Sequence, residues 1–173
     1  MEIVYRAFFL NPTIPPEGHP FAEYMRAKGG GRIPLEQFFA GPQQMGLATG
    51  LIFNFEQITK APNSLLSHAL INLAPAAVCD AVIEAVYAAY FEFGQDIGDL
   101  DTLVEIGAGH GLERAALRAR LAAGEGQAQA EADAQWAAAH GINGVPFFII
   151  DGQYAFSGAQ PPEAIQRILA RVA

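Results

Sequence analysis

Cys79 is the only cysteine in the 173 residues. A lone thiol can attack an electrophile or be oxidised. It cannot open and close a disulfide within its own chain, because that exchange needs two sulfurs. Cys79 follows Val78 in a stretch that reads as a buried helix, where a free cysteine serves as a small apolar residue. That account is preferred to a nucleophilic one. His68 is the other side chain worth weighing, because imidazole titrates near neutrality and can bind or move a proton. A half-buried helical histidine making one hydrogen bond explains it equally well. His19, His110 and His140 fall in a loop, a turn and a helix end, and no pair of histidines has zinc-ligand spacing, so no metal is expected. His140 before Gly141 suits a cation at a helix C-terminus. Ser157 lacks any recognisable accompanying histidine and carboxylate.

These residues must be held by elements that the pattern suggests. Residues 2–10 (EIVYRAFFL) are β-branched and aromatic and predict a strand, buried on both faces over Ala7–Leu10. Four prolines and a glycine in residues 11–20 predict an extended connector. Short helices are predicted over 21–27 and over 35–48, the second interrupted at Gly41-Pro42. Leu51, Phe53 and Phe55 alternate, so residues 50–61 suit a strand or a packed extended loop. Asn63 is a good N-cap, and Leu66, Leu70 and Leu73 follow at helical spacing. A helix with Pro75 in its first turn carries Val78, Val82, Val86 and Phe93 near one face, widened by Tyr87, Tyr90 and Phe91, and ends at Gly94. Further helices are predicted over 99–107, 112–123 and 127–140. Val145–Ile150, the Asp151-Gly152 turn and Tyr154–Ser157 predict a hairpin. A last helix follows Pro161-Pro162, with Ile165, Ile168, Leu169 and Val172 on its apolar side. The aromatics at 5, 8, 9 and 87–93 are read as core.

Composition bounds the partners. A length of 173 residues with 51% apolar and 16% charged side chains predicts one folded domain spanning 1–173. The 18 acids against 10 bases give a net charge of -8, which repels phosphate backbones and anionic lipid headgroups, so neither nucleic acid nor membrane is an expected partner. No apolar run reaches the ~18 residues needed to span a bilayer. The opening Met1-Glu2-Ile3-Val4-Tyr5-Arg6 has no basic n-region and no cleavage site, so a secretory signal is not expected. With a single cysteine, this points to a reducing cytoplasm.

Leu103-Val-Glu-Ile-Gly-Ala-Gly-His-Gly111 resembles the glycine-rich first motif of S-adenosylmethionine-dependent methyltransferases. That motif needs a strand before the glycines and an acid at the end of the next strand. The Ala-rich residues 112–140 that follow offer no next strand and no strand-end acid, so this is a remote alternative to a helix that ends at a glycine.

Gly141-Ile-Asn-Gly-Val-Pro-Phe-Phe-Ile-Ile150, followed by Gly158-Ala-Gln-Pro161, resembles the cis-proline loop of the thioredoxin fold. With it go Ala89-Tyr90-Phe91, Gly111-Leu112-Glu113, Asn63 with Ser67-His68-Ala69, and Phe8 with Leu10-Asn11-Pro12. Together they resemble the DsbA-like, FrnE-like thiol-disulfide oxidoreductases and isomerases over essentially the whole chain. The 2-hydroxychromene-2-carboxylate isomerases and kappa-class glutathione transferases share that architecture. The resemblance implies an α/β, thioredoxin-like fold with an all-helical insertion (within residues 20–140) between the family's second and third strands. The hairpin and last helix would occupy 141–173. It also implies that Val145 and Pro146 present backbone to an extended peptide, with Asn63 and His68 facing the same cleft.

The departure is large. The family's first strand, Cys-Pro-Trp-Cys-type turn and long helix have no counterpart before residue 2. With them go the thiolate whose pKa a helix N-terminus lowers. No catalytic residue is identifiable beyond the candidate His68. The expected function is that of a thiol-disulfide oxidoreductase or isomerase family member that is redox-inactive as this chain stands. The alternatives are a non-catalytic peptide or small-ligand binding module, or a glutathione-dependent isomerase or transferase. No cofactor is expected, unless glutathione is bound. The partners expected are a protein or small-thiol substrate. A second chain is also expected, a homodimer copy or partner subunit, to complete a sheet whose edge at 146–150 would otherwise stand bare, unless residues 2–10 slide in beside it.

Overall fold

In the computed structural model, which describes residues 2–30 and 34–172, six aliphatic side chains from four helices meet out of water. Leu70 comes from α3 (Leu65–Leu73) and Val82 from α4 (Cys79–Phe91). Leu103 and Val104 come from α5 (Leu100–Gly109), and Leu117 and Leu121 from α6 (Arg114–Ala122). The helical periodicity of the apolar residues places them there. Asp99 caps α5 by accepting from the Thr102 amide, and Glu113 caps α6 by accepting from the amides of Ala115 and Ala116, each filling part of the first turn's unmet demand for acceptors. Where α5 passes α6, Gly107 has no Cβ, and the Leu117 side chain fills that space.

These helices belong to a helical unit, Asn11–Glu131. Its second cluster is aromatic. Phe21 opens α1 (Phe21–Lys28), Phe39 lies in α2 (Leu35–Thr49), and both are buried with Ile58 and Ala61. Phe39 stacks on Phe21 at 5.6 Å and on Phe55 at 4.2 Å. The sheet of this unit is minimal: β1 (His19–Pro20) pairs antiparallel with β2 (Lys60–Ala61). Residues 50–59 are otherwise irregular, with one 3-10 turn at Phe55–Gln57.

Two predicted boundaries move. α2 runs through Gly41-Pro42 without a break. Pro42 removes one backbone hydrogen bond, but Phe39 before it is held in the aromatic cluster and Gly46 after it lies against the Phe53 ring. Packing on both sides outweighs one lost bond. α4 starts at Cys79 rather than at Pro75, which instead closes a turn by accepting from the Val78 amide at 2.9 Å. α4 ends at Phe91, and the turn after it closes at Gly94, whose φ is +63° and where a side chain would collide with the Gln57 carbonyl.

The terminal unit joins Met1–Leu10 to Ala132–Ala173. It contains the end of α7 (Gln127–Ala139), the antiparallel pair β3 (Phe147–Ile150) and β4 (Tyr154–Ser157), and α8 (Pro162–Val172). The hairpin register pairs Phe148 with Phe156 and Ile150 with Tyr154. Asp151 and Gly152 both take positive φ at the turn, the conformation an Asp-Gly pair favours.

The strand predicted over residues 2–10 is not formed, and of the two alternatives for the edge of β3 the pairing with residues 2–10 is not the one taken. The Ala7 amide is spent on a side chain, donating to Asp133 Oδ2 at 3.2 Å, while Arg6 donates to Asp133 Oδ1 at 2.8 Å. An amide committed to a carboxylate cannot join a ladder. Burial follows the same geometry: Ala7 is buried, Phe8 and Phe9 half-buried, and Leu10 exposed. No helix among the described residues is long and apolar enough to cross a membrane.

Candidate substrate-binding site

The loop before β3 is built from its helix outward. α7 ends where the His140 amide donates to the Trp136 and Ala137 carbonyls, and Gly141 then turns the chain at φ +70°. The Ile142 amide returns to the Ala137 carbonyl at 2.9 Å. His140 does sit at a helix C-terminus. Its Nδ1 donates to the Trp136 carbonyl at 2.8 Å and its ring stacks on the Trp136 indole at 4.0 Å.

The chain then reaches Val145-Pro146, whose peptide bond is cis. The Pro146 carbonyl accepts from the Gly158 amide at 2.8 Å, which ties the loop to the end of β4. Val145 is exposed, and so are Phe148 and Ile149 on the strand that follows. Phe148 stacks on Phe156 across the hairpin at 4.7 Å. β3 pairs with β4 on one side, and among the described residues no strand pairs with its other edge. The loop and strand therefore offer backbone and apolar side chains together.

Asn63 and His68 lie in the other unit, at the start of α3. The Asn63 side chain accepts from the Leu65 amide at 2.9 Å and donates to the Ile14 carbonyl at 2.7 Å. It fastens the proline-rich connector to the helix start, a structural task that uses both ends of its amide. His68 is half-buried on α3, one residue from the fully covered Ser67, whose hydroxyl donates to the Ser64 carbonyl. Cys79 opens α4 with its Sγ 4.0 Å from the Ile71 carbonyl, and burial, with the Asp80 charge second, raises its pKa.

The glycine-rich run at 103–111 is the end of a helix. Leu103 to Gly109 belong to α5, His110 caps it with Nδ1 donating to the Ile106 carbonyl at 2.8 Å, and Gly111 turns away at φ +88°. No strand precedes these glycines, so the nucleotide-binding arrangement they resemble is not formed. Among the described residues no three His, Cys, Asp or Glu side chains are grouped to hold a metal ion.

Two polar clusters were not anticipated. The first is Arg6–Asp133, whose signal was present: Ala130, Asp133 and Ala137 share one face of α7, and the acid stands in a buried alanine stripe. The second links Lys60 Nζ to Asp96 Oδ2 at 2.7 Å and the Tyr90 hydroxyl to the Lys60 carbonyl at 3.2 Å. No local spacing announces it, because it joins residues 30 and 36 positions apart.

Burial pushes the Tyr90 phenol well above its ordinary value, with the Tyr24 and Asp96 charges adding to it. An unfolded tyrosine ionises near pH 10. Above that pH the unfolded chain loses a proton that folded Tyr90 keeps, so stability falls as pH rises. Denaturant unfolding at pH 8 and pH 11 should show this loss, and Tyr90→Phe should reduce it at the cost of about 1 kcal/mol at pH 8. An equal alkaline loss in Tyr90→Phe would refute the assignment.

A family model of the DSBA-like thioredoxin domain matches residues 1–170. The chain belongs to the DsbA-like thioredoxin-domain family. A crystal structure titled as a probable DsbA oxidoreductase from Streptomyces coelicolor superposes on it with a TM-score of 0.84 at 31% identity, covering 98% of this chain and 74% of that one. No curated protein sequence matches it. The DsbA-like fold is thus mostly helical, and its few strands include the hairpin behind Val145-Pro146.

Proposed function

We propose that this DsbA-like domain binds polypeptide or small-thiol substrates, glutathione among them, and does not itself exchange a disulfide. The state of its sole thiol carries this reading. A working redox cysteine is a stabilised thiolate at an electropositive site with a second sulfur in reach. Cys79 has its pKa raised, an acid as its chain neighbour, and no other cysteine in the sequence. The binding surface in this reading is the Val145-Pro146 loop with the free edge of β3, where an extended peptide adds as a strand and sets its side chains against Phe148 and Ile149. A strand from a partner subunit or second copy would use the same edge. A reducing compartment suits a chain with one thiol.

Insulin reduction by dithiothreitol should proceed at the buffer rate in the presence of this chain, and Cys79→Ser should change nothing. Acceleration that Cys79→Ser abolishes would overturn the redox half of the proposal. For the binding half, anisotropy of a labelled, carboxymethylated unfolded peptide should report an affinity that Val145→Asp weakens about tenfold, or ~1.4 kcal/mol. An unchanged affinity would remove the loop from the binding site.

A further inference from the structure

The hairpin register decides which backbone groups of β3 are left for a ligand. The Gly158 amide donates to the Pro146 carbonyl at 2.8 Å, and the Gln153 amide to the Ile150 carbonyl at 3.1 Å. Pro146 and Ile150 therefore turn their carbonyls toward β4. Phe148, in register with Phe156, does the same, because hydrogen-bonding residues alternate along an antiparallel strand. Phe147 and Ile149 must then direct N–H and C=O the other way, to the edge that no described strand pairs with. Pro146 lacks an N–H, but that donor would have faced β4, so the open edge loses nothing by it. The side chains beside the edge are apolar on both faces. Phe148 and Ile150 share one face with Phe156 and Tyr154, and of these Phe148 and Tyr154 are exposed. Phe147 and Ile149 share the other face with Ser157 and Ala155, and Ile149 is exposed. Asp151, just past the end of β3, is the one charged residue in 141–162, in a chain whose net charge is -8.

We propose that this edge takes a continuous apolar run of an unfolded polypeptide, flanked by basic residues, and does not take a small thiol. The proposal rests on the peptide-binding reading above and names what that site selects. A strand added here makes its ladder bonds to Phe147 and Ile149, and its side chains fall alternately beside the two apolar faces. A segment of alternating polar and apolar residues would set polar side chains against one of those faces, so a run that is apolar at every position is favoured. A charge inside the run would be laid on an uncharged strand. A basic residue beside the run instead meets Asp151 and the acidic chain as a whole. Glutathione is too short to bond both edge residues while lining both faces, and its net negative charge is repelled. A second copy of this chain would bring its own net charge of -8 to the contact, which opposes that occupant.

Anisotropy of labelled peptides titrated with the whole chain tests this. The probe is a peptide of about nine residues, with an uncharged run of about five valines and isoleucines between lysines. Methylating its amide nitrogens at alternate positions of the run should weaken binding about tenfold or more in one phase and less than about threefold in the other, because only every second residue of an added strand bonds to β3. Serine at every second position of the run should cost about tenfold. Glutamates in place of the flanking lysines should cost as much at about 50 mM salt and far less at about 500 mM. Glutathione should not displace the probe. Ile149→Pro, which removes an edge N–H that β4 does not use, should weaken the lysine-flanked peptide. Binding that Val145→Asp weakens but that is indifferent to the phase of methylation overturns the proposal and leaves the loop as the binding site. Binding of no peptide overturns both readings. Equal affinity for the serine-interrupted peptide removes the continuous run, and with it the proposal. A dimer in sedimentation equilibrium that Ile149→Pro breaks and the peptide does not displace gives the edge to a second copy, which also overturns it.

Discussion

Asp133→Ala is expected to free residues 2–10 and to cost about 2–4 kcal/mol, the sum of a buried amide left without its acceptor and a charge-assisted bond lost. Asp133 is only 3% exposed and receives both the Arg6 guanidinium and the Ala7 amide. Arg6 is itself mostly in water, so it rehydrates at little cost once released. The Ala7 amide stays beside a buried alanine and has no such recourse. Hydrogen exchange reads the difference directly: the Ala7 amide should lose its protection in Asp133→Ala, while amides in α5 and α6 keep theirs. Asp133→Asn, which retains one acceptor oxygen, should fall between. Protection at Ala7 that survives Asp133→Ala would show that some other contact holds this segment.

Leu103→Ala is expected to be the most damaging single truncation, at about 3–5 kcal/mol, because it removes three carbons from a site with no solvent access and opens a cavity. Leu103 is fully buried in the cluster that Leu70, Val82, Leu117 and Leu121 complete. Gly107, one turn further along α5, already admits Leu117 as closely as the backbone permits, so little slack remains for the neighbours to collapse into the void. Thermal unfolding should fall by about 10 °C. The contrasting truncation is Leu47→Ala, on the exposed face of α2, which should leave the monomer's stability within about 0.5 kcal/mol. If Leu103→Ala costs no more than Leu47→Ala, the core of the helical unit lies elsewhere.

The legibility of this chain divides along the range of the forces involved. The helices at 65–73, 100–109 and 114–122 were readable because apolar residues three and four apart must lie on one face whatever surrounds them. The hairpin was readable because Asp-Gly can take positive φ and its flanks are apolar. Proline 42 and the 2–10 segment were misread for one reason. A local rule was applied where a distant contact decides: the aromatic cluster holds α2 together across its proline, and Asp133, 126 positions away, claims the amide of Ala7. Of the candidate site, Val145-Pro146 is where the motif put it. Asn63 proved to be a fastener between the connector and α3, a task that only its partner Ile14 reveals.

By itself, the sequence determined that one thiol must stand alone, since a count of cysteines needs no coordinates, and it determined most helices and the closing hairpin, since their periodicities are local. Only the tertiary structure decided how that thiol is held. Cys79 is half-buried at the start of α4, with its Sγ 4.0 Å from the Ile71 carbonyl, and partial burial with the Asp80 charge second raises its pKa. It also decided which apolar side chains stay in water, because whether a leucine is core or surface depends on what the rest of the chain brings to it.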